Sequence, residues 1–332
     1  MGNGGSNAII ITTAVLLGFS LVTVSLRCFT RLKIVKSFGS DDTLMVAAAA
    51  FNVAFAICGI VGALYGMGKA QAYLSHSPDD VRRGLLCWWL GQIFYVFTCT
   101  IARLSIAATI LRLTVERIHS WILYGIMVIS TAVGTVFLFF TIFQCRPVAY
   151  YWNRSSTEGR CIDINTLLGI VYMYSGVAAA CDFTIGFLPI FMVWGLQMNR
   201  GTKFVVSTIL GLACIASIAV IIRIPFVHYA GKPDFLHETT QISIWSNVEA
   251  SLGIAAGSLM TVRPLLRALV TSFPMLRNWS GGDELGSPFS LRAFCKLTNP
   301  TSWVASQEMD EEKFAALENG YNVFSTNQLP YL

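Results

Sequence analysis

Apolar runs recur along the chain at the length of a membrane crossing, separated by short polar segments. Seven stand out, at about 8–26, 43–64, 85–110, 121–143, 167–196, 204–226 and 242–262. The third is the clearest. From Leu85 to Ile110 it holds 26 residues with a single charge, Arg103. At about 1.5 Å of rise per residue, such a helix crosses a roughly 30 Å hydrocarbon layer with some tilt. Trp88, Trp89 and Tyr95 sit toward its first end, where interfacial aromatics anchor a helix. A soluble core helix of this length would show a polar face, and none is visible. The pattern predicts an all-α membrane protein, a seven-transmembrane helix bundle. Residues 1–7 form a short N-terminal segment, 8–267 the bundle, and 268–332 a largely disordered tail.

Composition narrows the class. Hydrophobic residues make up 55% of the chain and charged residues 12%, about half the charged share of a soluble domain. The basic residues gather between apolar runs, which reads as membrane orientation rather than a nucleic-acid surface. Arg27, Arg31, Lys33, Lys36, Arg112, Arg117, Arg200, Lys203 and the basic residues of the tail fall on one side of a seven-span topology. The opposite side holds Lys69, Arg82, Arg83, Arg146, Arg154, Arg160 and Lys232. The positive-inside rule therefore predicts an N-terminus outside and a cytosolic C-terminus in a multi-pass protein of the plasma membrane or an endomembrane.

The loop between spans four and five agrees independently. Cys145 and Cys161 lie on the predicted outer side, where an oxidising lumen favours pairing. Their bond would contribute about 3 kcal/mol in the chain-entropy model. Cys87, near the outer end of span three, is a competing partner. Asn153 opens a glycosylation sequon in the same loop. On the other side, Ser40 can cap the second span, and Asp41 and Asp42 sit where the helix dipole favours negative charge. The structural reading of this pair, a cap and a partner for nearby basic residues, outweighs a signalling or ion-binding role. Four histidines without metal-ligand spacing, and no CxxC pair, argue for no metal.

Four charges remain inside the predicted spans: Arg103, Asp182, Arg223 and Glu249. Charges there are costly, so partners are expected. Counting down from the outer ends puts Arg103 about 27 Å and Asp182 about 22 Å deep, with Arg223 about 5–9 Å and Glu249 about 10 Å. These depths predict an inner ion pair, Arg103 with Asp182, and an outer pair, Arg223 with Glu249. The pairs can simply hold the bundle together. Alternatively Glu249 and Arg223, with Tyr95, Tyr172 and Trp245, form the polar groups of an outward-opening ligand cavity. Asp182 or Glu249 could also transfer protons.

Several stretches, in order, resemble the fungal rhodopsin-domain family of seven-helix membrane proteins. They are the basic segment before Asp41-Asp42, then Arg103-Leu104-Ser105-Ile106, then Cys145-Arg146-Pro147 with Trp152, Gly159 and Cys161. Span five adds Asp182, Leu188-Pro189 and Trp194, and span seven adds Trp245, Glu249, Gly253 and Arg263-Pro264-Leu265. The resemblance covers roughly residues 8–270. The chain departs from the family pattern in three places. Lys69 follows Gly66 and Gly68 where a histidine is usual, Arg103 replaces a lysine, and Gly257-Ser258-Leu259-Met260 replaces a stretch with cysteine and proline. No cysteine-rich module precedes the first span, which weakens any carry-over of a surface-sensing role.

The resemblance implies a receptor-like protein that binds a small apolar or amphipathic molecule and engages a cytosolic signalling partner. It does not imply a retinal protein. A retinal Schiff base needs a lysine deep in the bundle, and Lys33, Lys36, Lys69, Lys203, Lys232, Lys296 and Lys313 all lie outside the spans. No cofactor is expected. The alternative is an intramembrane cyclase or isomerase of a fungal secondary-metabolite pathway, with Asp182 or Glu249 as acid or base. A transporter is less favoured, because no inverted repeat is visible.

Overall fold

The computed structural model describes residues 4–68, 78–112, 114, 116–153, 158–194 and 240–261. Six long helices dominate them: α1 (Gly4–Phe29), α2 (Ser40–Tyr65), α3 (Pro78–Leu111), α4 (Arg117–Ile142), α5 (Ile164–Trp194) and α6 (Thr240–Thr261). Among the described residues, α1 to α5 are long and apolar enough to cross a membrane. The chain is a multi-pass membrane protein. Predicted span six, 204–226, with Arg223, lies outside the described residues, as does the tail 268–332.

Each helix starts before the apolar run that predicted it, because polar residues open the hydrogen-bond ladder ahead of the greasy segment. α3 starts seven residues before Leu85. α1 continues through Thr30–Val35 in wider turns, closed at Lys36 in the left-handed region. This corrects the placement of Arg27, Arg31 and Lys33 in a loop between the first two spans. Lys33 and Lys36 are exposed, but Arg27 and Arg31 are buried. Ser40 is not the cap of α2. Gly39 takes that place in an extended conformation, and its N–H donates to Asp42 Oδ2 at 3.1 Å.

α1 packs on α2 and α6, α2 on α3, α4 on α5, and α3 touches α2, α4, α5 and α6. α3 is thus the central helix of the described bundle. α6 is rich in small polar residues, and it buries Ser243, Ser246, Asn247, Glu249, Ser251 and Ser258. Small polar side chains let helix backbones approach closely and hydrogen-bond across the contact. In contrast, Ile11, Val15 and Val22 on α1, and Trp121, Val128 and Phe139 on α4, are exposed. Those faces meet the lipid bilayer.

Three apolar clusters stack along the bundle. One end holds Ile9, Met67, Trp88, Tyr151 and Ile242. The middle holds Phe55, Tyr95, Phe137 and Tyr174. The other end holds Met45, Ile106, Ile110, Leu123, Ile185 and Ile254. A two-stranded antiparallel ribbon, β1 (Cys145–Arg146) and β2 (Arg160–Cys161), caps the first end, with Cys145 opposite Cys161. A disulfide joins these two cysteines. Trp152 packs on Trp89 with ring centroids 5.3 Å apart, and Trp89 Nε1 donates to Thr141 O at 3.1 Å. The ribbon was not anticipated from the sequence, since two-residue strands carry no periodic signal.

Candidate functional site

A polar centre forms where α3, α5 and α6 meet. α3 presents Tyr95, Cys99 and Arg103 at four-residue spacing, so the three side chains share one face. Arg103 Nε donates to Asp182 Oδ1 at 2.7 Å and its Nη2 donates to Asp182 Oδ2 at 3.0 Å. The same Nη2 reaches Glu249 Oε1 at 3.1 Å. Tyr95 Oη donates to Glu249 Oε2 at 2.6 Å. One planar guanidinium therefore engages two carboxylates from two helices, the fork geometry in which arginine outperforms lysine. Arg103 and Glu249 are buried, whereas the Asp182 side chain is 19% exposed.

The structure brings together Tyr95, Arg103, Asp182 and Glu249 from the predicted set. It does not separate them into an inner and an outer layer. Glu249 stands at the level of Arg103, and its placement about 10 Å deep is corrected. The depth count assumed that the apolar runs start in one plane, whereas the Arg103–Glu249 contact puts the start of the last run, Ile242, well below Leu85. Tyr172 is half-buried against the cluster beneath the ribbon, ten residues before Asp182 and about 15 Å along α5. Trp245 is half-buried one helical turn before Glu249.

Tyr174 was missed. It is 2% exposed, stacks on Phe137 at 4.3 Å between ring centroids, and lies within electrostatic reach of Arg103. Only a helical-face argument on α5, with Tyr174 eight residues before Asp182, could have pointed to it.

A second polar layer closes the other end of the bundle. Arg27 is fully buried on α1. Its Nε donates to Asp42 Oδ1 at 2.8 Å, and its Nη2 donates to Asp41 Oδ2 at 2.9 Å. The remaining donors reach Gly257 O on α6 at 3.0 Å and Thr109 Oγ1 on α3 at 3.0 Å. Arg31 lies 3.4 Å from both Asp41 and Asp42, and Arg112 Nη1 lies 2.7 Å from Asp41 Oδ1. Ser105 Oγ donates to Asp41 O at 2.6 Å. Both aspartates are fully buried. This layer ties α1, α2, α3 and α6, and its charged members come from stretches that looked like loop signals and a cap.

Between the layers, Asn52 Nδ2 on α2 donates to Ser20 Oγ on α1 at 3.2 Å and to Ser251 Oγ on α6 at 3.5 Å. Among the described residues no group of three or more histidine, cysteine, aspartate or glutamate side chains is placed to hold a metal. The described lysines, Lys33 and Lys36, are exposed at the arginine-rich end, away from the polar centre. Cys87 is not joined to Cys145 or Cys161.

Comparison with known proteins places this geometry in context. A sequence model described as the fungal rhodopsin domain matches residues 26–268. The satratoxin biosynthesis SC1 cluster protein 4 of Stachybotrys chartarum is 26% identical over 51% of this chain and 59% of its own length. The wortmanamides biosynthesis cluster protein C of Talaromyces wortmannii is 26% identical over 75% of this chain and 68% of its own. A SAT4 family membrane protein of Emericella nidulans is 28% identical over 54% of this chain and 46% of its own. The chain thus spans about half to two thirds of the length of these relatives. With the matched domain covering most of its length, and both polar layers inside that domain, the chain belongs to the fungal rhodopsin domain family of membrane proteins.

Proposed function

We propose that this protein binds a small apolar or amphipathic molecule of fungal secondary metabolism inside the helix bundle, at the Tyr95–Glu249–Arg103–Asp182 centre. The observation that carries this reading is the shared guanidinium of Arg103, which ties α5 and α6 to α3 through Asp182 and Glu249. Asp182 is the one member of the centre with a partly exposed side chain. A ligand hydroxyl or carbonyl arriving at that edge competes for Arg103 and loosens one helix from another. α3 and α6 also carry the second layer, so the change has a physical route to the arginine-rich end. Thr109 follows Arg103 by about 9 Å on α3, and Gly257 follows Glu249 by about 12 Å on α6. The ribbon disulfide and the basic residues of the opposite end support an orientation with the ribbon outside and the arginine-rich end facing the cytosol. In that orientation Asn153 is available for glycosylation.

A second reading is an intramembrane cyclase or isomerase. The short Tyr95 Oη to Glu249 Oε2 contact supports it, because a phenol donating to a buried carboxylate is a ready proton-transfer pair. Relatives named for biosynthesis clusters support a metabolic setting for either reading. The test is metabolite profiling of the producing fungus without the gene and with Glu249→Gln. Binding-coupled signalling predicts altered transcription or growth with no accumulated precursor. Catalysis predicts a missing product, an accumulated precursor and the same pattern in the point variant.

A further inference from the structure

We infer that α2 and α3 hold a binding site for a single soft monovalent metal ion, of the Cu(I) class, between Cys58, Cys87 and Met67. Neither cysteine belongs to the ribbon disulfide, and neither takes part in the two polar layers. Both lie at the α2–α3 contact, about one turn apart along it. Gly91, one turn after Cys87, lies opposite Cys58, where an added Cβ would stand 3.8 Å from the Cys58 Cβ. Gly62, one turn after Cys58, lies opposite Cys87, where an added Cβ would stand 3.2 Å from the Cys87 Cβ. The two thiols are near enough to influence each other electrostatically.

The third sulfur arrives by a turn built for it. Gly66 ends α2 at φ 141°, a conformation that side-chain-bearing residues rarely adopt. The chain then folds back, and Met67 N donates to Gly62 O at 2.9 Å. This lays the Met67 thioether directly over Gly62, with Sδ where a Cβ would have to sit. Met67 is buried, and Cys58 and Cys87 are half-buried. Met67 Sδ and the Cys87 side chain thus meet over Gly62, and Cys58 lies one turn before that glycine on α2.

Chemistry selects the ion. Thiolate and thioether donors favour Cu(I) over magnesium, calcium or manganese, which take oxygen ligands. A divalent zinc ion prefers four donors, commonly completed by nitrogen or oxygen, and no such set is present among the described residues. Charge points the same way. One thiol loses its proton to solvent as a monovalent ion binds its sulfur, and the resulting pair is neutral. The second thiol and the thioether then complete the shell as neutral donors. A neutral site avoids the large cost of leaving an uncompensated charge in an apolar region.

The experiment uses the full-length protein in detergent micelles, titrated with Ag(I) as a redox-inert soft ion and with Cu(I) under ascorbate. The expected result is one ion per chain with sulfur-only coordination by X-ray absorption. Cys58→Ser and Cys87→Ser should each weaken binding on the order of tenfold or more. Met67→Leu should remove one sulfur from the shell with a smaller loss. Helical content by circular dichroism separates these effects from misfolding, and the absorption spectrum of the unaltered chain tests the site without any variant. Unchanged uptake in the Cys58→Ser/Cys87→Ser double variant would overturn the site, as would nitrogen or oxygen ligands. So would mass spectrometry showing Cys58 and Cys87 already joined as a disulfide in the isolated protein.

Discussion

The two polar layers are built from arginines and carboxylates and differ in how completely the carboxylates are enclosed. At the arginine-rich end, three arginines surround two fully buried aspartates, and four helices contribute donors or acceptors. In the centre, one arginine serves two carboxylates, and Asp182 is open at its edge. A buried ion pair is weak evidence for stability in itself, yet removing one partner is costly because a charge is left stranded. The closed layer therefore behaves as a structural joint, where any change is penalised. The open one can exchange a protein contact for a ligand contact at smaller cost, which is what a binding or catalytic centre requires.

Breaking that comparison starts with the closed layer. Arg27→Leu leaves Asp42 with Arg31 at 3.4 Å and Asp41 with Arg31 at 3.4 Å and Arg112 at 2.7 Å, and is expected to destabilise the fold by about 3–5 kcal/mol. The readout is a large fall in melting temperature in detergent, or loss of folded protein. Arg103→Leu strands Asp182 and Glu249, but exposure at Asp182 lets solvent relieve part of the penalty, so a cost of about 3 kcal/mol or less is expected. If the two variants melt alike, the distinction between the layers fails.

Smaller changes sharpen it. Gly257→Ala places a methyl group against Ile106 and Met45 at the contact where Arg27 reaches the α6 carbonyl. Overpacking of this kind should cost about 2 kcal/mol, read as a lowered melting temperature with the ligand response retained. Tyr95→Phe removes one hydrogen bond to Glu249 and should cost only about 1 kcal/mol in stability. Its effect on ligand response or product formation should be far larger than its effect on melting. A Tyr95→Phe protein with normal function would remove the polar centre from both functional readings.

Much of the bundle was readable because apolar length is a direct consequence of bilayer thickness, and five of the predicted spans are helices that meet the crossing criterion. The disulfide was readable as one of the pairings open to Cys145 and Cys161, with Cys87 the competitor that the fold leaves aside. The partners of the charges were legible only in part. Arg103 and Asp182 meet at comparable predicted depths, but Glu249 joins them because the apolar runs of α3 and α6 do not start at one level. Arg27 and Arg31 carried the signature of a cytosolic loop. Their burial depends on Asp41 and Asp42 folding back from the next helix and on Gly257 arriving from α6, 230 residues away.

Sequence alone thus determined the membrane class, the approximate helix positions and the absence of a lysine deep in any predicted span, since each follows from local composition. Tertiary structure decided which charges share a site, which basic residues are buried, and which two cysteines pair. Those outcomes depend on helix register and close approach at small residues, and neither leaves a periodic trace along the chain.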